Sequence, residues 1–129
     1  LRKHGERVLE FVNRFRPESE RLIDEGCYIV EMRNLEEDWD CSIARARVRP
    51  GVRTKRHRLR ETVERYVILE GAGEVEIGDM PPAPVAPLDV VHIPAGVSQC
   101  IRNVDSGDLL FLCICTPRFV PENYEGLED

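Results

Sequence analysis

A chain of 129 residues, 42% hydrophobic and 33% charged, has the size and balance of one globular domain with a core of its own. A net charge of -6 and an isoelectric point near 5.2 argue against a general nucleic-acid binder, which carries a basic face. Five cysteines, an odd number, argue against a disulfide scaffold, and no apolar run reaches membrane length or resembles a signal peptide, so reduced thiols, no membrane partner and a cytoplasmic location are expected.

Val8, Phe11, Val12 and Phe15 recur at helical spacing, which predicts an amphipathic helix over 1–15, stopped by Pro17 and packed on the outside of the fold or on a second subunit. Pro17 to Gly26 is polar, with room for a short helical turn. Cys27 to Met32 reads as a strand, and Asn34 to Asp40 as an acidic loop containing Trp39. From Cys41 to Arg49 the pattern is period two: Ala44, Ala46 and Val48 on one face, Arg45, Arg47 and Arg49 on the other. Pro50-Gly51 turns the chain.

A short strand around Lys55 to Leu59 follows, then a hairpin from Glu64 to Leu69 and Gly73 to Ile77 closed by Glu70-Gly-Ala-Gly73. Met80 to Pro87 carries four prolines and reads as a loop. Val90 to Ile93, Gln99 to Val104 and the almost wholly apolar Leu109 to Cys115 are further strands, separated by turns at Pro94 and Asp105. Beyond Pro117 an acidic tail is expected to be loosely held. The boundaries are therefore 1–40 for an N-terminal helix and outer strand extension, 41–117 for a β-barrel, and 118–129 for the tail. Short strands divided by Gly, Pro and Asp turns predict an all-β sandwich or jelly-roll barrel.

Residues two apart on a strand share a face. Arg53, Lys55, His57 and Leu59 then point one way, and Glu64, Tyr66 and Ile68 share a face on the next strand. With His57 inward, two cations stand at a cavity mouth and a tyrosine in its wall, which suits a small anionic or phenolic ligand.

Gly51, His57, Glu64 and Gly71 keep the spacing of the first cupin motif, and Pro94, Gly96 and Asn103 keep that of the second. The chain resembles a small single-domain cupin over roughly Cys41 to Pro117, and the resemblance implies a double-stranded β-helix, commonly a homodimer. In that family three histidines and a glutamate hold a divalent ion. Here the resemblance carries over His57 and Glu64 as ligands. Leu59 stands in place of the second histidine, Leu88 in place of the glycine that opens the second motif, and Gln99 in place of the third histidine.

Gln99 offers an amide oxygen, a weaker ligand than imidazole for iron, manganese, nickel, copper or zinc, and His92, two residues before Pro94, is a candidate to supply a missing nitrogen. Cys113 and Cys115 share a face; buried packing and thiolate ligation are both open to them. Tyr66 is the candidate proton donor or substrate contact. Three readings remain open: a divalent-metal site with oxygenase, isomerase or decarboxylase chemistry on an organic acid, a metal-free pocket that binds or senses a small ligand, and a structural polar cluster in a dimer scaffold.

Overall fold

In the computed structural model, which describes residues 11–129, eleven strands among those residues form two antiparallel sheets. They are β1 (Arg21–Leu22), β2 (Tyr28–Arg33), β3 (Ser42–Val48), β4 (His57–Leu59), β5 (Val63–Glu70), β6 (Gly73–Ile77), β7 (Ala83–Val85), β8 (Val90–Ile93), β9 (Gln99–Asn103), β10 (Leu109–Thr116) and β11 (Tyr124–Gly126). One sheet runs β1-β2-β3-β10-β5-β8 and the other β11-β4-β9-β6-β7. This is the jelly-roll barrel expected from the strand pattern.

Alternation aims the side chains. In β5, Glu64, Tyr66 and Ile68 are buried while Arg65 and Val67 are less so; in β3, Ser42, Ala46 and Val48 turn inward. Strand β10 pairs with β3 on one side and β5 on the other; Leu109, Phe111 and Cys115 are buried on its inner face, while Leu110, Leu112 and Ile114 opposite are partly buried. Val48, Tyr66, Ile68, Val75, Ile101, Leu109 and Phe111 belong to one buried cluster. On the outer face Arg45 and Arg47 grip Glu20 at 2.9 and 2.7 Å, tying the segment before β1 to β3.

The β5–β6 hairpin needs a glycine. Gly71 has φ +89, and a Cβ there would stand 2.7 Å from the Asp108 carbonyl oxygen. In the proline-rich stretch, expected as a loop, Ala83–Val85 pairs with β6 as the last strand of its sheet. An edge strand tolerates proline because one of its sides has no ladder to complete.

Two further expectations change. Residues 1–10 of the expected helix lie outside the described residues, and 11–16 are not helical; the first turn is a 3-10 turn at Pro17–Ser19. Phe11 and Val12 are exposed, and the Phe15 ring meets the Arg45 guanidinium instead of the core. A short helix holds only when its apolar face is packed.

The tail is not loose. The Arg118 N–H donates to the Trp39 carbonyl at 2.9 Å, a 3-10 turn spans Pro121–Asn123, and β11 pairs with β4. Glu125 meets Arg58 and Glu128 meets Arg53, both at 2.7 Å, so the acidic tail lies along the basic stretch around β4. No helix among the described residues is long and apolar enough to cross a membrane.

Candidate functional site

Strand β4 delivers His57 and Leu59 to the interior, where they are 3% and 5% exposed. The His57 Nδ1 lies 2.8 Å from the Lys55 carbonyl oxygen. A carbonyl only accepts, so Nδ1 carries the proton and Nε2 keeps a free lone pair. The Tyr124 ring of β11 stacks on the imidazole with centroids 5.1 Å apart. Facing Nε2 at 3.6 Å is Glu25 Oε1.

Glu25 comes from the β1–β2 turn, which is closed by the Ile23 N–H on the Cys27 carbonyl and the Gly26 N–H on the Ile23 carbonyl, each 3.0 Å. The Lys55 N–H donates to the Glu25 carbonyl at 2.8 Å, so the backbone beside His57 anchors this turn. Cys27, Ile29 and Glu31, at period two beyond the turn, line the same space.

Across the interior, β9 places Gln99 opposite His57 in register, with the Gln99 side chain fully buried. Its Nε2 donates to Glu64 Oε1 at 2.8 Å, and its Oε1 accepts from the Tyr66 hydroxyl. Tyr66 packs on Phe111 with ring centroids 4.5 Å apart. The result is a buried chain from phenol through amide to carboxyl.

Burial sets the charges. It pushes the carboxyls of Glu25 and Glu64 each up to about 7, their mutual repulsion adding to the effect on Glu64. Burial lowers the His57 imidazole, and raises the Tyr66 phenol and the thiols of Cys27, Cys113 and Cys115. Burial thus favours the protonated thiol at each of these cysteines.

The groups enclose a cavity of about 390 Å³ whose walls include Ile23, Ile29, Phe111, Phe119 and Tyr124. That volume lies within the ~300–1,000 Å³ usual for small-molecule sites. The two cations expected at its mouth are elsewhere: Arg53 pairs with Glu128, and Lys55 is exposed. Neither lines the cavity, whereas Asp24, Glu25, Glu31, Glu64 and Arg21 do.

The structure thus brings His57, Glu64, Gln99 and Tyr66 together, as the sequence predicts. It does not bring His92. On β8, Val91 and Ile93 take the inward positions, and His92 between them is exposed on the outer face beside Arg65. Glu25 and Tyr124 are the residues missed by sequence reasoning. The cue for Glu25 was the Gly26 turn with Cys27, Ile29 and Glu31 alternating after it; nothing local marked Tyr124.

The donors do not fit the family's divalent ion. Both ends of the Gln99 amide are engaged, Leu59 has no donor atom and His92 faces away. Among the described residues, no group of three or more His, Cys, Asp or Glu side chains is placed to hold a metal.

Residues 44–115 match the family model described as Cupin domain, more than half of the chain. The chain belongs to the cupin family. Solved cupin-like structures share the fold of this cupin. KdgF from Halomonas sp. has a TM-score of 0.70 at 16% identity, covering 81% of this chain and 94% of that one. A predicted oxalate decarboxylase from Thermotoga maritima scores 0.70 at 22% identity, covering 80% and 97%. Pac13, described as a unique nucleoside dehydratase, scores 0.72 at 13% identity, covering 89% and 90%. No curated protein matches this cupin in sequence.

Proposed function

We propose that this cupin binds a small organic molecule inside its barrel without a metal ion, using Glu25, His57 and Glu64 as the polar end of an otherwise apolar pocket. The observation that carries this reading is the Gln99 amide spanning Glu64 and Tyr66. In that arrangement the one residue left to complete a ligand set with His57 and Glu64 spends its oxygen on a phenol. Tyr66 then acts through Gln99, holding the amide so that Glu64 is oriented, and its hydroxyl is not free to touch a ligand. Of the family's four ligand positions, only His57 and Glu64 keep a donor for iron, manganese, nickel, copper or zinc.

A second reading has its own observation. A histidine with its tautomer set by a carbonyl, beside two carboxyls that titrate at about 7, can accept and return protons near neutral pH. That suits proton-transfer chemistry such as isomerisation or dehydration. It uses the same pocket and the same residues, so the binding reading comes first.

The test is elemental analysis of protein purified without a histidine tag, followed by calorimetric titration with manganese, nickel and zinc. Traces of metal in the preparation and no saturable uptake are expected. Near-stoichiometric metal that disappears in His57→Ala would overturn the proposal and restore His57 as a ligand.

A further inference from the structure

The polar end of the cavity gathers carboxyls that no lysine or arginine among the described residues pairs with. Glu64 is 8% exposed and Glu25 is largely buried, yet among the described residues neither pairs with a lysine or arginine. Their polar contacts are the neutral Gln99 amide and the Cys113 thiol for Glu64, and the Cys27 thiol and His57 imidazole for Glu25, with His57 also acting on Glu64 through space. Carboxylates outside the cavity are treated differently: Glu20 meets Arg45 and Arg47, Glu125 meets Arg58, and Glu128 meets Arg53.

Asp24 and Glu31 add two more carboxyls to the lining, against Arg21 alone, whose charge acts on Glu31. A carboxylate withdrawn from water without a counter-charge is unfavourable, so a positively charged guest supplies what the protein withholds. The acceptors also suit one kind of cation. Glu25 Oε1 and the lone-pair side of His57 Nε2 stand 3.6 Å apart and Glu64 lines the same cavity, so this end offers acceptors to the N–H donors of a primary ammonium group. Beside them, the aromatic faces of Tyr124, Phe111 and Phe119 and the side chains of Ile23 and Ile29 accommodate an apolar body and favour a nearby cation.

We propose that the pocket selects a small primary amine on an apolar body, its ammonium group held by Glu25 and Glu64. This rests on the reading of the barrel as a metal-free ligand pocket, and it names the chemical class of the ligand. Arg53 and Lys55 are turned away from the cavity, and the one arginine in its lining, Arg21, acts on Glu31, so a carboxylate guest meets mainly acidic side chains.

Isothermal titration with benzylamine, benzyl alcohol and benzoate in the presence of EDTA tests this. Benzylamine should bind at least ~10-fold tighter than benzyl alcohol, and benzoate weakest of the three. Glu25→Gln and Glu64→Gln should each weaken benzylamine by ~10-fold and leave benzyl alcohol unchanged. Glu25→Gln carries the test if Glu64→Gln fails to fold, because the turn is anchored by the Glu25 carbonyl and not by its side chain.

Benzoate or benzyl alcohol bound as tightly as the amine overturns the selectivity while leaving the pocket reading in place. Amine binding unchanged in both variants overturns the assignment to these carboxyls. Binding of none of the three overturns this proposal, and the metal analysis then decides the reading beneath it.

Discussion

The two segments that build the site, Gly51–Gly71 and Leu88–Asn103, depart from the cupin pattern in different ways. The first keeps its glycines at positive φ and keeps His57 and Glu64, with Leu59 as its departure. The second keeps Asn103, whose amide donates to the Val48 and Gly107 carbonyls at 2.9 and 2.8 Å, but has Leu88 and Gln99. Leu88 nevertheless adopts φ +74, a glycine-like angle, held by its N–H on the Ile68 carbonyl at 2.7 Å. Gln99 keeps its place opposite His57 and takes up different chemistry. Backbone geometry thus survives a change of residue at some cost in strain, whereas ligand chemistry does not survive a change of donor atom.

The largest expected effect breaks the second segment at Gln99. Gln99→Leu leaves the Glu64 carboxyl and the Tyr66 hydroxyl buried without their partner, a loss of about 4 kcal/mol in urea unfolding. A loss under about 1 kcal/mol would show that the amide bridge is dispensable. In the first segment, Gly71→Ala combines an unfavourable φ with a Cβ 2.7 Å from the Asp108 oxygen. It should cost about 3 kcal/mol, read from the same unfolding curves.

A pH series separates the carboxyls from the rest. Glu25 and Glu64 hold their protons to about 7 in the folded chain, against 4.5 as the ordinary value, so the native state binds protons that the unfolded chain has released. Their contribution is full below 4.5 and is lost as pH rises through 7. His57, lowered by burial from 6.5, works in the opposite direction, its contribution fading as pH falls below that value. Two carboxyls against one imidazole predict a net fall in stability from about pH 5 to 7. Glu64→Gln should make that fall shallower, and chemical denaturation across the range reads it; an unaltered slope would show that Glu64 is not the group responsible.

The smallest effect is a gain. Leu88 is exposed, so Leu88→Gly gives up little packing and relieves the positive φ, for about 1 kcal/mol of added stability by thermal unfolding. A destabilised variant would mean that the loop draws more on the leucine side chain than on its own hydrogen bonds.

Much of the barrel was legible because strand parity is a local property: Ala44, Ala46 and Val48, or Glu64, Tyr66 and Ile68, show their face in the sequence itself. The same rule failed at Arg53 and Lys55. They precede β4, in chain held to β9 by the isolated Arg53–Arg102 bridge and a few separate hydrogen bonds but not by a continuous ladder, so the parity of His57 does not extend back to them. It also left His92 open, since a histidine between two apolar residues fits either face until the neighbours are known. The C-terminal strand was hidden for a further reason: Tyr124–Gly126 is held by pairing with β4 and by ion pairs to arginines some sixty residues away, with no apolar periodicity of its own.

By itself the sequence determined the all-β class, the turns and the shared face of Glu64, Tyr66 and Ile68, because period-two patterning and turn residues act over a few positions; His57 and Gln99 were marked by their places in the cupin motifs. Only the tertiary structure decided that Glu25 from the β1–β2 turn faces His57, that Gln99 is spent between Glu64 and Tyr66, and that the cations point away. Those contacts join segments far apart in the chain, and their cost or benefit exists only once burial has removed the water that would otherwise satisfy each group alone.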